Sequence, residues 1–315
     1  MTVHDPRGTV LVTGAAGFIG RHLVEHLSSR NRTVIGVDLR QAPPRPTNAA
    51  AGRHVVADLR TTDIRPLLDG VSSVVHLAAL PGVRPSWDRF DDYVESNVLV
   101  TRRLLEAGAQ TGLRRLVIAS SSSVYGNQRD GAMNEDQPPA PISPYAVTKL
   151  AAEHLALAYA ARPASVLTTV ALRFFTVYGP RQRPDMLISR IISAVQDGRE
   201  IRVFGDGSQR RDFVFVKDAV RAVTAAVDAP GPSRVCNVGT GEQISVTGII
   251  ALISELMGRP ANVRTEPHRA GDVVSTRADT TRTAEALGFR ASVSLREGLR
   301  EHIDAVRSES MSVGA

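Results

Sequence analysis

The sequence predicts an α/β protein: a doubly wound parallel sheet followed by a smaller C-terminal α/β lobe. Three observations predict it. Short β-branched runs alternate with amphipathic stretches through the first half, the order of repeated strand-helix-strand units. Those runs do not alternate apolar with polar (Val10, Val12; Val34, Ile35, Val37; Val74, Val75), as expected where helices cover both faces of a sheet. From residue 176 onward the texture changes, with stretches 179–185 and 205–211 rich in Gly, Pro and Arg.

In chain order, strands are predicted at 9–13, 33–38, 54–57, 73–79, 116–120 and 166–175. Helical spacing appears at 18–29, 91–111 and 145–161. The Pro-rich 41–52 reads as a surface loop. The second half predicts helices at 187–197, 245–257, 282–287 and 295–306, with a late strand at 233–238. Residues 1–175 then form the first domain, with 213–238 returning to it. Residues 176–212 and 239–308 form the second lobe, and 309–315 a flexible tail.

Composition narrows the class. With 315 residues, 43% hydrophobic and 22% charged, the chain is neither collagen-like nor wholly disordered. No apolar run approaches 18 residues, so no membrane span is expected. The polar N-terminus has no signal-like apolar core. A single cysteine, Cys236, excludes an intramolecular disulfide and a CxxC zinc site, and a cytoplasmic setting is expected. No metal is expected: eight histidines include no HExxH, and His22 and His26 lack a third ligand. The net charge of +6 rests on scattered arginines with no run longer than two, which argues against nucleic acid. Only two lysines occur, Lys149 and Lys217. A lysine kept in an arginine-rich chain suggests a place for a compact cation rather than a broad fork.

Gly14, Gly17 and Gly20 follow the first strand and open the first helix. Glycine permits positive φ and lets backbone N–H groups approach a pyrophosphate at the positive end of a helix. The setting is that of a Rossmann-type dinucleotide turn with GxxGxxG spacing; tight packing alone is the other reading. Asp38 ends the second strand, where a carboxylate accepts both adenosine ribose hydroxyls and repels a 2′-phosphate, favouring NAD over NADP. Arg40 nearby could hold that phosphate. Asp58 could meet the adenine amine or serve as a turn residue. Leu77, Ala78 and Ala79 leave room for a cofactor to cross the sheet edge.

Tyr145 and Lys149 lie four apart and share a helix face. An ammonium close to a phenol favours phenolate and makes it a usable base. That spacing also arises by chance. The serine run 120–123 ends the fifth strand, where open α/β sheets bind ligands, although a polar loop would look the same.

Together these residues resemble the extended short-chain dehydrogenase/reductase family, the nucleotide-sugar epimerases and dehydratases. The likeness spans nearly the whole chain. It rests on the glycine turn, Asp38, Asp58, His76-Leu77-Ala78-Ala79, Asn97, 120–126, Tyr145-x-x-x-Lys149, 173–185, 203–213 and Gly271-Asp272 ahead of Ala278-Asp279. The resemblance implies NAD held by Gly14, Gly17, Phe18, Ile19, Asp38, Asp58, Leu59, Leu77, Ala78, Ala79 and Asn97, together with Tyr145 and Lys149. It implies catalysis by Ser121, Tyr145 and Lys149. In the second lobe it implies a UDP-sugar, with Arg211 and Arg269 at the pyrophosphate, Asp272 at ribose and Val203 and Phe204 at uracil. It implies a homodimer in which 91–111 and 145–161 pair across a two-fold axis; packing inside one chain is the alternative.

Within the family, dehydratases carry an Asp-Glu pair just after the catalytic Ser/Thr, and UDP-glucuronate decarboxylases a glutamate two residues after it. Here Ser122 and Ser123 stand there, so epimerisation at C4 is expected. Stretches 81–87 and 173–186 look most like UDP-glucuronate 4-epimerases, whereas UDP-glucose 4-epimerases usually have Asn in place of Thr176. Ser122, Ser123 and Thr176 suit a sugar carboxylate as hydroxyl donors, and Arg84 and Arg183 as cations. Surface salt bridges are the other reading for both arginines. Phe174 and Phe175 read as packing residues, with Phe174 able to reach the nicotinamide.

Overall fold

A computed structural model describes residues 8–41, 52–127, 131–267 and 274–313. Its centre is one parallel sheet of seven strands in the order β11-β6-β5-β4-β1-β2-β3. These are β1 (Thr9–Thr13), β2 (Val34–Asp38), β3 (Arg53–Val56), β4 (Val71–His76), β5 (Arg115–Ser121), β6 (Thr168–Phe174) and β11 (Arg234–Val238). Chain order reverses between β1 and β4, and ligands bind such sheets at that switch point.

Side-chain alternation explains why the strands are apolar throughout. Val10 and Val12 face one way and meet Leu23 and Leu27 of α1 (Phe18–Ser29) and Val220 and Val223 of α7 (Val216–Asp228). Leu11, between them, faces the other way with Val37, Val74 and Ile118. There it meets Leu104 and Leu105 of α4 (Val100–Thr111) and Ala152 and Ala156 of α5 (Pro144–Ala160).

The helix expected over 91–111 is interrupted. After short turns α2 (Pro85–Asp88) and α3 (Phe90–Tyr93), residues Val94–Leu99 form a π-helical turn that leads into α4. Just beyond it, in α4, the Thr101 hydroxyl donates back to the Asn97 carbonyl at 2.7 Å. A hydroxyl claiming a main-chain carbonyl disturbs the regular ladder, and such turns mark functional stretches.

Beyond β6, β7 (Thr176–Tyr178) pairs with β10 (Phe213–Phe215). The strand predicted as 166–175 is thus two strands. α6 (Leu187–Asp197) and α8 (Val246–Met257) pack together. β8 (Glu200–Phe204) pairs in parallel with β13 (Asn262–Glu266), a two-stranded sheet absent from the sequence reading. Short β9 (Arg210–Arg211) and β12 (Ile244–Ser245) are antiparallel, where 205–211 reads as loop. α9 is Thr281–Leu287. α10 (Leu295–Val313) runs on through positions expected to form a flexible tail, the backbone keeping its helical bonds. One buried apolar cluster extends from β1 through α7 to Ile188, Ile201, Ile249 and Leu299, so the lobes share a core.

Candidate active site

The glycine turn is built to admit backbone rather than side chains. Gly14 has φ +69°, and a Cβ there would sit 2.8 Å from the Ala78 amide nitrogen. A Cβ on Gly20 would fall 2.0 Å from the Gly14 carbonyl oxygen. Gly17 N–H donates to that same carbonyl at 2.9 Å. α1 begins with no side-chain cap and no acidic residue in its first turn, so its positive end is left for an anion. Asp38 is nearly buried at the end of β2; its carboxylate accepts Ala16 N–H at 3.0 Å and Arg40 N–H at 3.0 Å. Arg40 lies against Asp38, its Nε 3.5 Å from Oδ1. The donors and shape suit an adenosine ribose and pyrophosphate.

Several residues expected at the cofactor are also engaged within the chain. Asp58 accepts Arg60 N–H and is gripped by the Arg60 guanidinium at 2.7–3.1 Å, which pulls its carboxyl below the usual range. These are the contacts of the turn reading. Leu59 is buried in the core, leaving only its backbone for a ligand. Asn97 spends both amide hydrogens internally, on the Leu80 carbonyl and Thr148 Oγ1 (each 3.1 Å), and its Oδ1 accepts Leu80 N–H at 2.7 Å. It ties the segment after β4 to α5. Phe18, Ile19 and Leu77 pack partly buried against the core. Ala78 donates its N–H to Thr13 Oγ1 at 3.2 Å, and Ala79 is half-buried.

His76 closes this floor. Its Nδ1 lies 2.7 Å from Thr13 Oγ1 and its Nε2 3.1 Å from Thr101 Oγ1. The Thr101 proton goes to Asn97 O, so Nε2 is the ring's donor and Nδ1 accepts from Thr13. Burial, then the Lys149 charge, pulls His76 down to about 3, so it stays neutral.

Tyr145 opens α5 behind the Ser143 cap, whose hydroxyl accepts Ala146 N–H at 3.2 Å. The Tyr145 N–H donates to Ser86 Oγ at 3.0 Å. Its ring meets Tyr93 edge-on, centroids 6.3 Å apart, and Tyr93 donates to the Pro81 and Gly82 carbonyls. Burial raises the phenol; its hydrogen bond with Ser121 and the charge of Arg183 act the other way. Ser121 gives its own proton to Ser123 Oγ at 3.0 Å and accepts Ser123 N–H, capping the 3₁₀ turn Ser122–Tyr125. Ser122 and Ser123 are half-buried. One turn on, Lys149 is buried, which pulls its ammonium down to about 8 despite Glu153.

The second-lobe candidates are more exposed. Arg183 is paired with Asp185, Nε–Oδ1 2.9 Å and Nη2–Oδ2 2.5 Å, yet its charge acts on Tyr93 and Tyr145. The surface pair given as its other reading is present. Arg84 lies over the Phe204 ring at 5.8 Å, bridging the lobes. Val203 is buried in the core. Thr176 donates its N–H to the Asp212 carbonyl at 3.1 Å, and Arg211 donates to the Arg210 carbonyl at 2.8 Å. Phe174 and Phe175 are buried as packing residues. Arg269 and Asp272 lie outside the described residues. Cys236 is fully buried and free. Among the described residues no His, Cys, Asp and Glu group could hold a metal, and no helix is long and apolar enough to cross a membrane.

Residues 10–239 match the NAD dependent epimerase/dehydratase family. The chain belongs to that family. It is similar to MoeE5, with structures in complex with UDP-glucuronic acid and NAD and with UDP-glucose and NAD: 50% and 49% identity, TM-score 0.92, covering 96% of this chain and 100% of that one. A UDP-glucuronic acid 4-epimerase from Bacillus cereus, in complex with UDP-glucuronic acid and NAD, is 37% identical with TM-score 0.88 over 96% and 99% of the chains. A Bacillus subtilis protein described as an uncharacterized UDP-glucose epimerase, YtcB, is 38% identical over 93% of this chain and 96% of its own. The family's cofactor, NAD, fits the glycine turn and Asp38.

Sequence reasoning missed Tyr93, Ser86 and Glu153. Glu153 carried a signal: a carboxylate between Ala152 and Ala156 on the core face of a helix must have a partner there. Tyr93 and Ser86 carried none, because what makes them matter is where a loop brings them.

Proposed function

We propose that this chain is an NAD-dependent 4-epimerase that converts UDP-glucuronate to UDP-galacturonate. The observation that carries the choice of sugar is Arg183, a second-lobe cation whose charge reaches Tyr145 beside three serines and no acidic pair. Bound NAD supplies oxidation and reduction at C4. Tyr145 takes the proton of the C4 hydroxyl and later returns one; Ser121 hydrogen-bonds the C4 oxygen; Lys149 holds positive charge nearby. The 4-keto sugar is a β-keto acid, which loses carbon dioxide when its carboxylate bond aligns with the ketone. Ser122, Ser123, Thr176 and Arg183 hold the carboxylate out of that alignment while the ring turns about the pyrophosphate. Arg84 and Phe204 border the uridine diphosphate, and Arg211, Arg269 and Asp272 complete its contacts.

Incubation with UDP-glucuronate, followed by NMR, is expected to yield UDP-galacturonate at equilibrium. Unchanged substrate, or UDP-pentose with carbon dioxide, would refute this assignment. UDP-glucose is the second reading, favoured by the MoeE5 complex with that sugar. Competition between the two sugars decides. A second copy of the chain seated on exposed Trp87, Phe90, Leu99, Ile142 and Val147 would make the homodimer, which sedimentation tests.

A further inference from the structure

Glu153 is 1% exposed and lies one helical turn past Lys149. A lone buried carboxylate would be costly, and two strands satisfy it. Ser120 of β5 donates to its Oε2 at 2.5 Å. Arg173 of β6, 3% exposed, forms a fork with Nε 3.1 Å from Oε2 and Nη2 2.6 Å from Oε1. Arg173 is held in turn by the Tyr125 ring, 4.7 Å away, and Tyr125 donates to Asn237 Oδ1 at 2.7 Å. Every part of this cluster is buried, and none of it needs to touch a ligand.

We infer that Glu153, fixed by Arg173 and Ser120, is a positioning residue that keeps the buried Lys149 side chain cationic beneath the catalytic tyrosine. The argument is geometric. Lys149, 5% exposed, and Glu153, 1% exposed, share the buried face of α5 one turn apart. Of the other titratable groups, His76 of β4 feels the Lys149 charge but stays neutral, and the Tyr145 phenol lies one turn back on the same helix. Arg173, bonded to the carboxylate, adds only positive charge. Glu153 is the one group that raises Lys149 against the burial that lowers it. The phenol is in turn surrounded by Ser121, Tyr93 and Arg183, so it depends on cations for its ionisation.

The chain's lysine content allows a direct test. With Lys149 and Lys217 as its only lysines, selective 13Cε-lysine labelling gives one NMR signal from each. Lys217, paired on the surface with Glu301 at 2.8 Å, is the internal control. In the wild-type protein the Lys149 signal should titrate near pH 8. Glu153→Gln removes the negative charge and leaves Arg173 unopposed, so the Lys149 midpoint should fall by about one unit or more. Lys217 should not move. The alkaline limb of kcat should fall with it, whereas a structural role alone would lower kcat equally at all pH. Should Glu153→Gln not fold, the double variant Glu153→Met with Arg173→Met replaces the pair by apolar groups of similar size, a change buried pairs often tolerate. The same downward shift is expected, smaller because Arg173 is gone. An unmoved Lys149 midpoint in either folded variant overturns the inference. The inference shares the site proposed above, but the titration needs no substrate, so it stands or falls apart from the choice of sugar.

Discussion

The half of the site on the seven-stranded sheet is held from behind by buried groups; the half on the second lobe is held by partners at its surface. The helix that carries Tyr145 and Lys149 is anchored by the buried Glu153–Arg173 pair and, through Thr148, by Asn97, and His76 is wedged between two threonines. Arg183, by contrast, is 38% exposed and gripped by Asp185, itself 63% exposed. Arg84 lies over the Phe204 ring, joining the two lobes. Groups that must keep one geometry through a reaction are placed where nothing can rearrange. Groups that must exchange partners when a ligand arrives are placed where water can replace what they release.

The contrast can be broken at several points. Tyr145→Phe should reduce turnover about 10³-fold while bound NAD is retained, checked by steady-state rates and by cofactor content after gel filtration. Loss of the cofactor as well would mean the phenol is part of the NAD floor rather than the base. Asp38→Ala should weaken NAD about 30-fold, read by calorimetry, since it removes a charged acceptor. Turnover at saturating NAD should barely change.

On the exposed side, Arg183→Met should reduce the preference for UDP-glucuronate over UDP-glucose about tenfold, with the UDP-glucose rate close to wild type. An equal loss with both sugars would move Arg183 into the rigid half. The smallest effect belongs to Asp58→Ala. If the carboxylate only anchors its turn to Arg60, NAD affinity should change less than about threefold. A larger loss would restore its role at adenine.

The sheet was legible because its strands are buried on both faces, and burial leaves a mark in composition. β8 left a fainter mark, the inward Ile201 and Val203 of an alternating strand. Its partner β13 left none: Asn262 to Thr265 are exposed, and only pairing with β8 makes them a strand. The glycine turn and the Tyr-Lys pair could be read because short spacing fixes their geometry. Asn97 was found, but its internal partners were not legible, since the hydrogen bonds that saturate it come from residues far along the chain, Thr148 and Leu80. The Arg183–Asp185 pair shows the reverse: two neighbours in sequence whose importance comes from a tyrosine on another element.

The π-helical turn at Val94–Leu99 has one more consequence. It offsets the angular phase of the helix, so Tyr93 before it can aim at Tyr145 while Leu104 and Leu105 after it aim at the sheet. Removing a single residue from that turn would leave a straighter, more regular rod with the same hydrophobic stripe. It would also swing Tyr93 about 100° around the axis. A shortening that looks harmless by composition, and even improves the helix, would take Tyr93 away from Tyr145.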